Sequence, residues 1–451
     1  MDAFNENLNE QQAQQPMGCL HRFSKTIKVV IIGLLILLLM IPMFMIENLI
    51  SERGRTQEEA IDEVSEKWSL AQTITGPYLN LQYPVVTENN GEKKVSIKDL
   101  ILFPDELMVN GQLKTEILKR SIYEVNVYQS ELTLKGSFSS EELKKSRIDM
   151  DQLQFDRAAI CLNLTDMRGI SEQISITLGD SVYIFEPGMD NRGIANTGVH
   201  AIANLSELKQ NKKLPYEIKI KLKGSQSLNF IPLGKTTRVD LKANWNTPSF
   251  TGNYLPNNRN ITEKEFSAQW QVLNLNRNYS QVMADYNTSN IKDIENSSFG
   301  VNFKIPVEQY QQSMRSAKYA ILIILLTFGV IFFTEIMNKT RIHALQYLLV
   351  GLALCLFYSL LLSFSEHIGF NPAYLLSSAL TIILVGGYMF GITKKKKPSL
   401  IMSGLLGILY LYIFVLIQLE TFALLAGSLG LFIILAMVMY FSKKIDWFNA
   451  V

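Results

Sequence analysis

Six long apolar segments limit what this chain can fold into. They occupy residues 29–46, 317–336, 344–364, 374–392, 400–417 and 421–441. The first has 18 residues and no charge, which at about 1.5 Å per residue is close to the minimum that crosses a bilayer core. A polar leader precedes it and no small-residue cleavage site follows Ile46, so we interpret it as a signal anchor rather than a cleaved signal peptide. The sequence therefore predicts six membrane-spanning helices.

The Lys and Arg residues around these segments predict the orientation in the membrane. One side has eleven of them, namely Arg22, Lys25, Lys28, Lys339, Arg341, Lys394, Lys395, Lys396, Lys397, Lys443 and Lys444. The two short loops on the other side, residues 365–372 and 418–420, have none. Because cytoplasmic loops are enriched in Lys and Arg, both termini are expected in the cytoplasm and residues 47–316 outside it.

The long segment between the first two spans predicts a β-rich extracytosolic domain. It opens at residues 47–68, where Ala60, Val64 and Trp68 have helical spacing, which indicates a stalk or capping helix. Later stretches alternate apolar and polar residues, as strands buried on one face do. These stretches are residues 79–83, 123–128, 132–134, 174–178, 216–222, 239–243 and 270–273. They favour a two-sheet or two-lobed β architecture.

Two details of this domain bear on its organisation. The Gly76-Pro77 pair is expected to end the stalk helix, because Gly and Pro interrupt regular structure. Residues 123–137 resemble residues 216–225, which leaves a duplicated β unit open beside chance similarity between strands.

The predicted fold class is a membrane α+β protein: six transmembrane helices with a large β-rich extracytosolic domain between the first and the second. The expected divisions are a cytoplasmic tail at 1–28, the first span at 29–46, the outer domain at 47–316, a five-helix bundle at 317–441 and a cytoplasmic tail at 442–451.

Composition disfavours several classes of function. With 43 basic and 41 acidic residues the net charge is +2, so no strongly cationic surface for nucleic acid is expected. Four histidines and three cysteines supply little for a metal site or a disulfide framework, and no cofactor is predicted. The outer domain has one histidine, His200, without a recognisable catalytic constellation. The middles of the spans lack charged residues, which ion-coupled transporters usually need.

Glu366 and His367 are the candidate site residues. They lie at the outer end of the third span, beside the one outer loop large enough to touch the domain. Neighbouring residues on a helix point about 100° apart, so the pair does not readily share a ligand, and a polar helix end is the alternative. We predict that both dock against the stalk or the exit segment, residues 307–315, and couple domain position to bundle packing. Glu335, at the cytoplasmic end of its span, is expected to snorkel to the surface.

Several segments carry a family resemblance. They are residues 68–77, 164–170 (LTDMRGI), 248–252 (PSFTG), 310–319 and, most specifically, 346–363 (QYLLVGLALCLFYSLLLS) followed by Ser365-Glu366-His367. In these residues the chain resembles the CreD family of bacterial inner-membrane, cell-envelope integrity proteins. The resemblance implies a cytoplasmic (inner) membrane location, a periplasmic outer domain and, in some bacteria, expression under the CreB/CreC two-component system linked to envelope stress, colicin tolerance and β-lactam response. It brings no catalytic residues.

The predicted function is that of a non-enzymatic, multi-pass protein that supports envelope integrity and the envelope-stress response. Its expected partners are the lipid bilayer and unidentified envelope proteins, and not nucleic acid. Two alternatives stay open: a transporter or lipid- or peptide-handling membrane protein, and a sensor module. A sensor would act through a partner, because the inward loops are too short to hold an effector domain.

Overall fold

The chain forms two compact units in the computed structural model. The β unit is Gln57–Pro306, and the helical unit is Met1–Thr56 together with Val307–Val451. Residues 47–56 and 307–316, which the sequence assigned to the outer domain, therefore group with the helices. The structure describes residues 24–89, 92–146, 148–189, 194–195, 197–210, 212–284, 288–303, 308–338, 341–419 and 423–443.

The described residues contain ten α-helices. They are α1 (Ser24–Trp68), α2 (Glu141–Lys145), α3 (Ser206–Lys209), α4 (Thr288–Asn296), α5 (Glu308–Lys318), α6 (Ala320–Asn338), α7 (Ala344–Ile368), α8 (Phe370–Thr393), α9 (Lys396–Gln418) and α10 (Ala423–Ser442). The predicted first span and stalk are one continuous helix, α1, with Pro42 inside it. Because the division between the units falls after Thr56, α1 supplies residues to both.

Five described helices are long and apolar enough to cross a membrane: α1, α6, α7, α8 and α9. A shorter apolar stretch, Leu425–Met437, lies within α10. The predicted second span began at Ala317, but a separate polar helix, α5, runs to Lys318 before α6 begins at Ala320. The chain is therefore a membrane protein with a β-rich region.

The β unit contains two sheets. Their strands are β1 (Gln72–Asn89), β2 (Glu92–Leu102), β3 (Glu106–Arg120), β4 (Tyr123–Phe138), β5 (Ala158–Leu164), β6 (Ser175–Leu178), β7 (Ser181–Ile184), β8 (Glu186–Pro187), β9 (Gly198–Ala203), β10 (Leu214–Ser225), β11 (Ser227–Phe230), β12 (Thr236–Ala243), β13 (Ser249–Gly252), β14 (Asn258–Ile261), β15 (Phe266–Leu273), β16 (Val282–Ala284) and β17 (Phe299–Asn302). The nine-stranded sheet has the order β13-β17-β11-β1-β5-β9-β8, with β2 on β1 and β16 on β2. The eight-stranded sheet has the order β14-β15-β12-β3-β4-β10-β6-β7.

One apolar core lies between the two sheets. Leu81 and Ile160 enter it from the nine-stranded sheet, and Leu134 and Ile218 from the other, all fully buried. A second, smaller core that includes Tyr78 and Cys161 also involves strands of the nine-stranded sheet. Strand β5 is consequently buried at every position, as expected for a strand with both faces covered.

Six of the seven alternating stretches lie wholly in strands, and the seventh, residues 174–178, begins one residue before β6, which confirms the β-rich region. The stretches at 123–128 and 132–134 belong to one strand, β4. The two similar segments fall on β4 and β10, which pair antiparallel with Leu134 opposite Ile218.

The predicted role of Gly76-Pro77 as a helix end is wrong. Helix α1 already ends at Trp68, and the pair lies inside β1 as a cis peptide, where the pairing with β5 shifts register. Gly76 has a φ of +134°, and a Cβ there would lie 2.9 Å from the Cys161 carbonyl oxygen. Only glycine combines this backbone conformation with such a close approach.

Candidate functional site

Glu366 lies in the last turn of α7, which ends at Gly369 with a φ of +77°. Its carboxylate is mostly buried, with 12% of the side chain exposed. A carboxylate at a helix C-terminus lies at the negative end of the helix dipole, so it needs other groups to stabilise it.

Two groups of the helical unit stabilise the Glu366 carboxylate. The hydroxyl of Tyr310, on α5, donates a hydrogen bond of 3.0 Å to Glu366 Oε1. Arg53 Nε, on α1, lies 3.9 Å from the same oxygen, and its side chain is 48% exposed. The Tyr310 bond is the stronger contact, because solvent weakens a long, half-exposed ion pair. Glu366 thus joins three helices, α1, α5 and α7.

His367 differs from its neighbour. Its side chain is exposed, and it forms no hydrogen bond or ion pair with the part of the chain that the structure describes. The structure therefore brings Glu366, but not His367, to the predicted stalk and exit segments. Whether this contact couples the two units stays a prediction.

Glu335 does not snorkel as the sequence suggested, because its side chain is only 12% exposed. It forms an ion pair with Lys28 of α1 and accepts a hydrogen bond of 3.1 Å from the Tyr347 hydroxyl of α7. Lys28 also donates to the Ile342 carbonyl at 2.9 Å. This cluster ties α1 to α6 and α7.

The end of α1 is held in the β unit by Asp166, which is 7% exposed. Asp166 Oδ2 accepts hydrogen bonds from the Leu70 amide at 2.9 Å and from the Ser69 hydroxyl at 3.4 Å. Arg168 pairs with both carboxylate oxygens, and its Nη1 donates to the Glu66 carbonyl at 2.6 Å. Arg168 therefore satisfies a carbonyl in the last turn of α1, where helices leave carbonyls unpaired.

Gln72 completes this junction. Its Nε2 donates to the Asp166 carbonyl at 2.7 Å and to the Ser69 hydroxyl at 2.9 Å, and its Oε1 accepts from the Asp166 amide at 3.2 Å. The family-like segments at 68–77 and 164–170 thus form one hydrogen-bonded unit, although nearly a hundred residues separate them in sequence.

Electrostatics favour the ionised form of Asp166. Burial by itself would raise the pKa of this carboxyl, but hydrogen bonds from the Arg168 side chain and from the Leu70 and Arg168 amides outweigh it and lower the pKa. The junction is therefore strongest when Asp166 carries its charge.

The sequence search for polar groups in the spans considered charged residues alone, so it missed a set of hydroxyls. Tyr358, Ser377 and Tyr410, on α7, α8 and α9, are buried, and their hydroxyls have no hydrogen-bond partner among the described residues. A search for Ser, Thr and Tyr in apolar segments would have found them.

Apolar helices of membrane-spanning length combined with a two-sheet β unit define a membrane protein with a large polar region. The CreD family profile, described as "Inner membrane protein CreD", matches residues 24–448. The chain is also 32% identical over 420 residues to inner membrane protein CreD of Escherichia coli (strain K12), covering 92% of this chain and 91% of that protein. The chain therefore belongs to the CreD family.

Proposed function

We propose that this protein is a non-enzymatic, six-span inner-membrane protein that supports the integrity of the cell envelope and its response to stress. In this proposal both termini are cytoplasmic, the β unit is periplasmic, and α10 is the sixth span. The observation that carries it is that α1 takes part in both units and is fixed in each of them.

Specific contacts hold α1 in each of the two units. In the helical unit, Lys28 pairs with Glu335, and Arg53 approaches Glu366, which Tyr310 also holds. In the β unit, Asp166 holds the amide that follows the helix. Rigid secondary elements are among the structures that carry coupling between distant sites, and in this proposal α1 reports the state of the β unit to the bundle. In a chain of this family, we infer a role in sensing or maintaining the envelope.

The non-enzymatic assignment is part of this proposal, and the surroundings of two polar side chains of the β unit bear on it. His200 Nδ1 lies 2.7 Å from the Gly188 carbonyl, and Cys161, opposite it in the sheet register, is fully buried. These contacts fit packing rather than a nucleophile and base open to substrate.

The topology can be tested with single cysteines and a membrane-impermeant maleimide applied to intact spheroplasts. Leu275→Cys, at a β-unit position that is 88% exposed, is expected to react from outside. Lys395→Cys, between α8 and α9, is expected to react only after the membrane is permeabilised. Labelling of position 395 in intact cells would overturn the proposed orientation.

The envelope role can be tested by complementation in the bacterium that carries the gene. A deletion strain is expected to become more sensitive to detergent and β-lactam and to release periplasmic enzyme. Wild type and His367→Ala are expected to restore the barrier, and Glu366→Ala to restore it only in part at equal protein level. If deletion leaves both sensitivity and leakage unchanged, the envelope role is wrong; full rescue by Glu366→Ala removes only the coupling through that residue.

A further inference from the structure

Three buried residues of the helical unit, one on each of α7, α8 and α9, carry hydroxyl groups. Tyr358 is 1% exposed, Ser377 0% and Tyr410 2%, and each hydroxyl lacks a hydrogen-bond partner among the described residues. Thr381 lies close to the Tyr410 hydroxyl, but the two do not form a hydrogen bond of ordinary geometry. Thr381 donates its own proton to the Ser377 carbonyl at 2.9 Å.

The rings of these tyrosines pack around Phe357. The Phe357 ring centroid lies 4.8 Å from that of Tyr358, 5.4 Å from that of Tyr374 and 4.5 Å from that of Tyr410. Ser377 follows Tyr374 by nearly one turn of α8, and the Tyr374 hydroxyl donates to the Tyr410 carbonyl at 2.9 Å. Tyr358 and Tyr410 therefore belong to one cluster with Tyr374, and Ser377 lies nearly one turn from Tyr374 on the helix that joins it.

The three hydroxyl-bearing residues lie well inside their helices, away from the helix ends. Tyr358 precedes the end of α7 by ten residues, Ser377 follows the start of α8 by seven, and Tyr410 precedes the end of α9 by eight. A hydrogen bond of 2.7 Å from Gln418 to Asn371 holds the end of α9 beside the start of α8. At about 1.5 Å per residue, the Cα atoms of the three residues lie roughly 10–15 Å from this common end.

Unpaired hydroxyls at this depth require an explanation. Hydrocarbon provides no hydrogen-bond partner, so an unpaired polar group there carries a free-energy penalty that phenylalanine or alanine would avoid. No Asp, Glu, Lys, Arg or His occurs in residues 344–365, 370–393 or 398–418. A charged ligand would thus lack a counter-charge in these helices.

We propose that Tyr358, Ser377 and Tyr410 form an intramembrane site for an uncharged ligand that offers hydroxyl or carbonyl oxygens. Two sources have this chemistry: water that enters from the common end of the helices, and the oxygen-bearing end of a neutral lipid such as a diacylglycerol. The site does not rest on the proposed envelope role.

The test compares thermal unfolding of full-length variants in detergent. Cys355, buried in α7, serves as the reporter through its reaction with a thiol-reactive dye, in a Cys19→Ala, Cys161→Ala background that leaves no other cysteine. The variants are Tyr358→Phe combined with Tyr410→Phe, and separately Ser377→Ala, which changes no ring. Tyr374→Phe is the matched control, because its hydroxyl already has a protein partner. The probe is 1,2-dioctanoylglycerol.

Either source gives a distinct result. If water fills the site, the midpoint of thermal unfolding is expected to fall by about 2–4 °C without any probe. This fall is expected both in Tyr358→Phe combined with Tyr410→Phe and in Ser377→Ala. If a neutral lipid fills it, dioctanoylglycerol is expected to raise the midpoint of the parent protein and of Tyr374→Phe, but not that of the site variants. Two results together would overturn the proposal: unfolding midpoints of the site variants that stay the same or rise without the probe, and equal responses of all variants to the probe. Removing a hydroxyl that is truly unpaired relieves its free-energy penalty, so it would not lower the midpoint.

Discussion

The Tyr310 hydroxyl donates a 3.0 Å hydrogen bond to Glu366, across the junction of α5 with α7. Tyr310 is 4% exposed, and its Cβ lies 4.0 Å from the position that a Cβ on Gly54 would occupy. The bond therefore forms where α5 and α7 pass α1 near Gly54.

We expect Tyr310→Phe and Glu366→Ala each to loosen this part of α1, because each removes one partner of the hydrogen bond. Loss of one hydrogen bond costs about 1 kcal/mol, which is roughly a fivefold increase in local opening. Limited trypsin digestion measures it, since Arg55 is exposed in this segment and cleavage requires the helix to open.

A double-mutant cycle separates this bond from general damage. The double variant is expected to be cleaved no faster than the faster single variant, because both changes remove the same interaction. His367→Ala, on the adjacent exposed residue, is the control and is expected to match wild type. Additive effects of the two changes would show that Tyr310 and Glu366 act separately.

Asp166→Asn is expected to destabilise the β unit by about 2 kcal/mol at neutral pH, because hydrogen bonds to an ionised group contribute more than those to a neutral one. Three of the four tryptophans, Trp68, Trp245 and Trp270, lie in this unit. Urea unfolding of the full-length protein, followed by tryptophan fluorescence, reports the change.

The free energy of unfolding of Asp166→Asn should fall less on acidification than that of wild type. The native pKa of Asp166 is lowered, so the unfolded chain binds the proton more readily and stability rises with pH. The contribution is present above about pH 4, the ordinary pKa of Asp, and is lost as pH falls through the lower native value. Wild type and Asp166→Asn should therefore converge once the pH falls below the lowered native pKa of Asp166. Asp151→Asn is the control and should follow wild type at every pH, because the Asp151 side chain is 78% exposed and solvent screens its ion pair with Lys209.

The sequence predicted the elements whose buried residues recur at a regular interval along the chain. Strands such as β10, buried at alternate positions, appear in the pattern of residues, and so do the long apolar helices. Strand β5 does not, because both of its faces are covered and its seven residues show no alternation. The family-like segments could be recognised, but not their contact, since Asp166 binds backbone groups such as the Leu70 amide that no side-chain pattern reveals.

Two adjacent glycines of α8 should differ in their tolerance of substitution. A Cβ on Gly386 would lie 2.2 Å from Ser403 Oγ, and Ser399 donates a 2.6 Å hydrogen bond to the Gly386 carbonyl, so α8 and α9 approach closely here. A Cβ on Gly387 would meet nothing within 4 Å. Gly386→Val is expected to lower the Cys355-reported melting midpoint by several degrees, because overpacking costs about 1–3 kcal/mol. Gly387→Val should stay near wild type, and equal effects at the two positions would contradict the close approach.

The Lys28–Glu335 pair should be more costly to break than to replace. Both side chains are largely buried, at 28% and 12% exposed, so Glu335→Ala leaves a cation without its partner and the Tyr347 hydroxyl without its acceptor. Removing one partner of a buried pair costs about 3–5 kcal/mol, whereas replacing both by apolar residues is often close to neutral. Glu335→Met is therefore expected to lower the Cys355-reported midpoint more than Lys28→Met combined with Glu335→Met. A double variant less stable than Glu335→Met would contradict this prediction and show that Lys28 stabilises the helices without Glu335, through contacts such as its hydrogen bond to the Ile342 carbonyl.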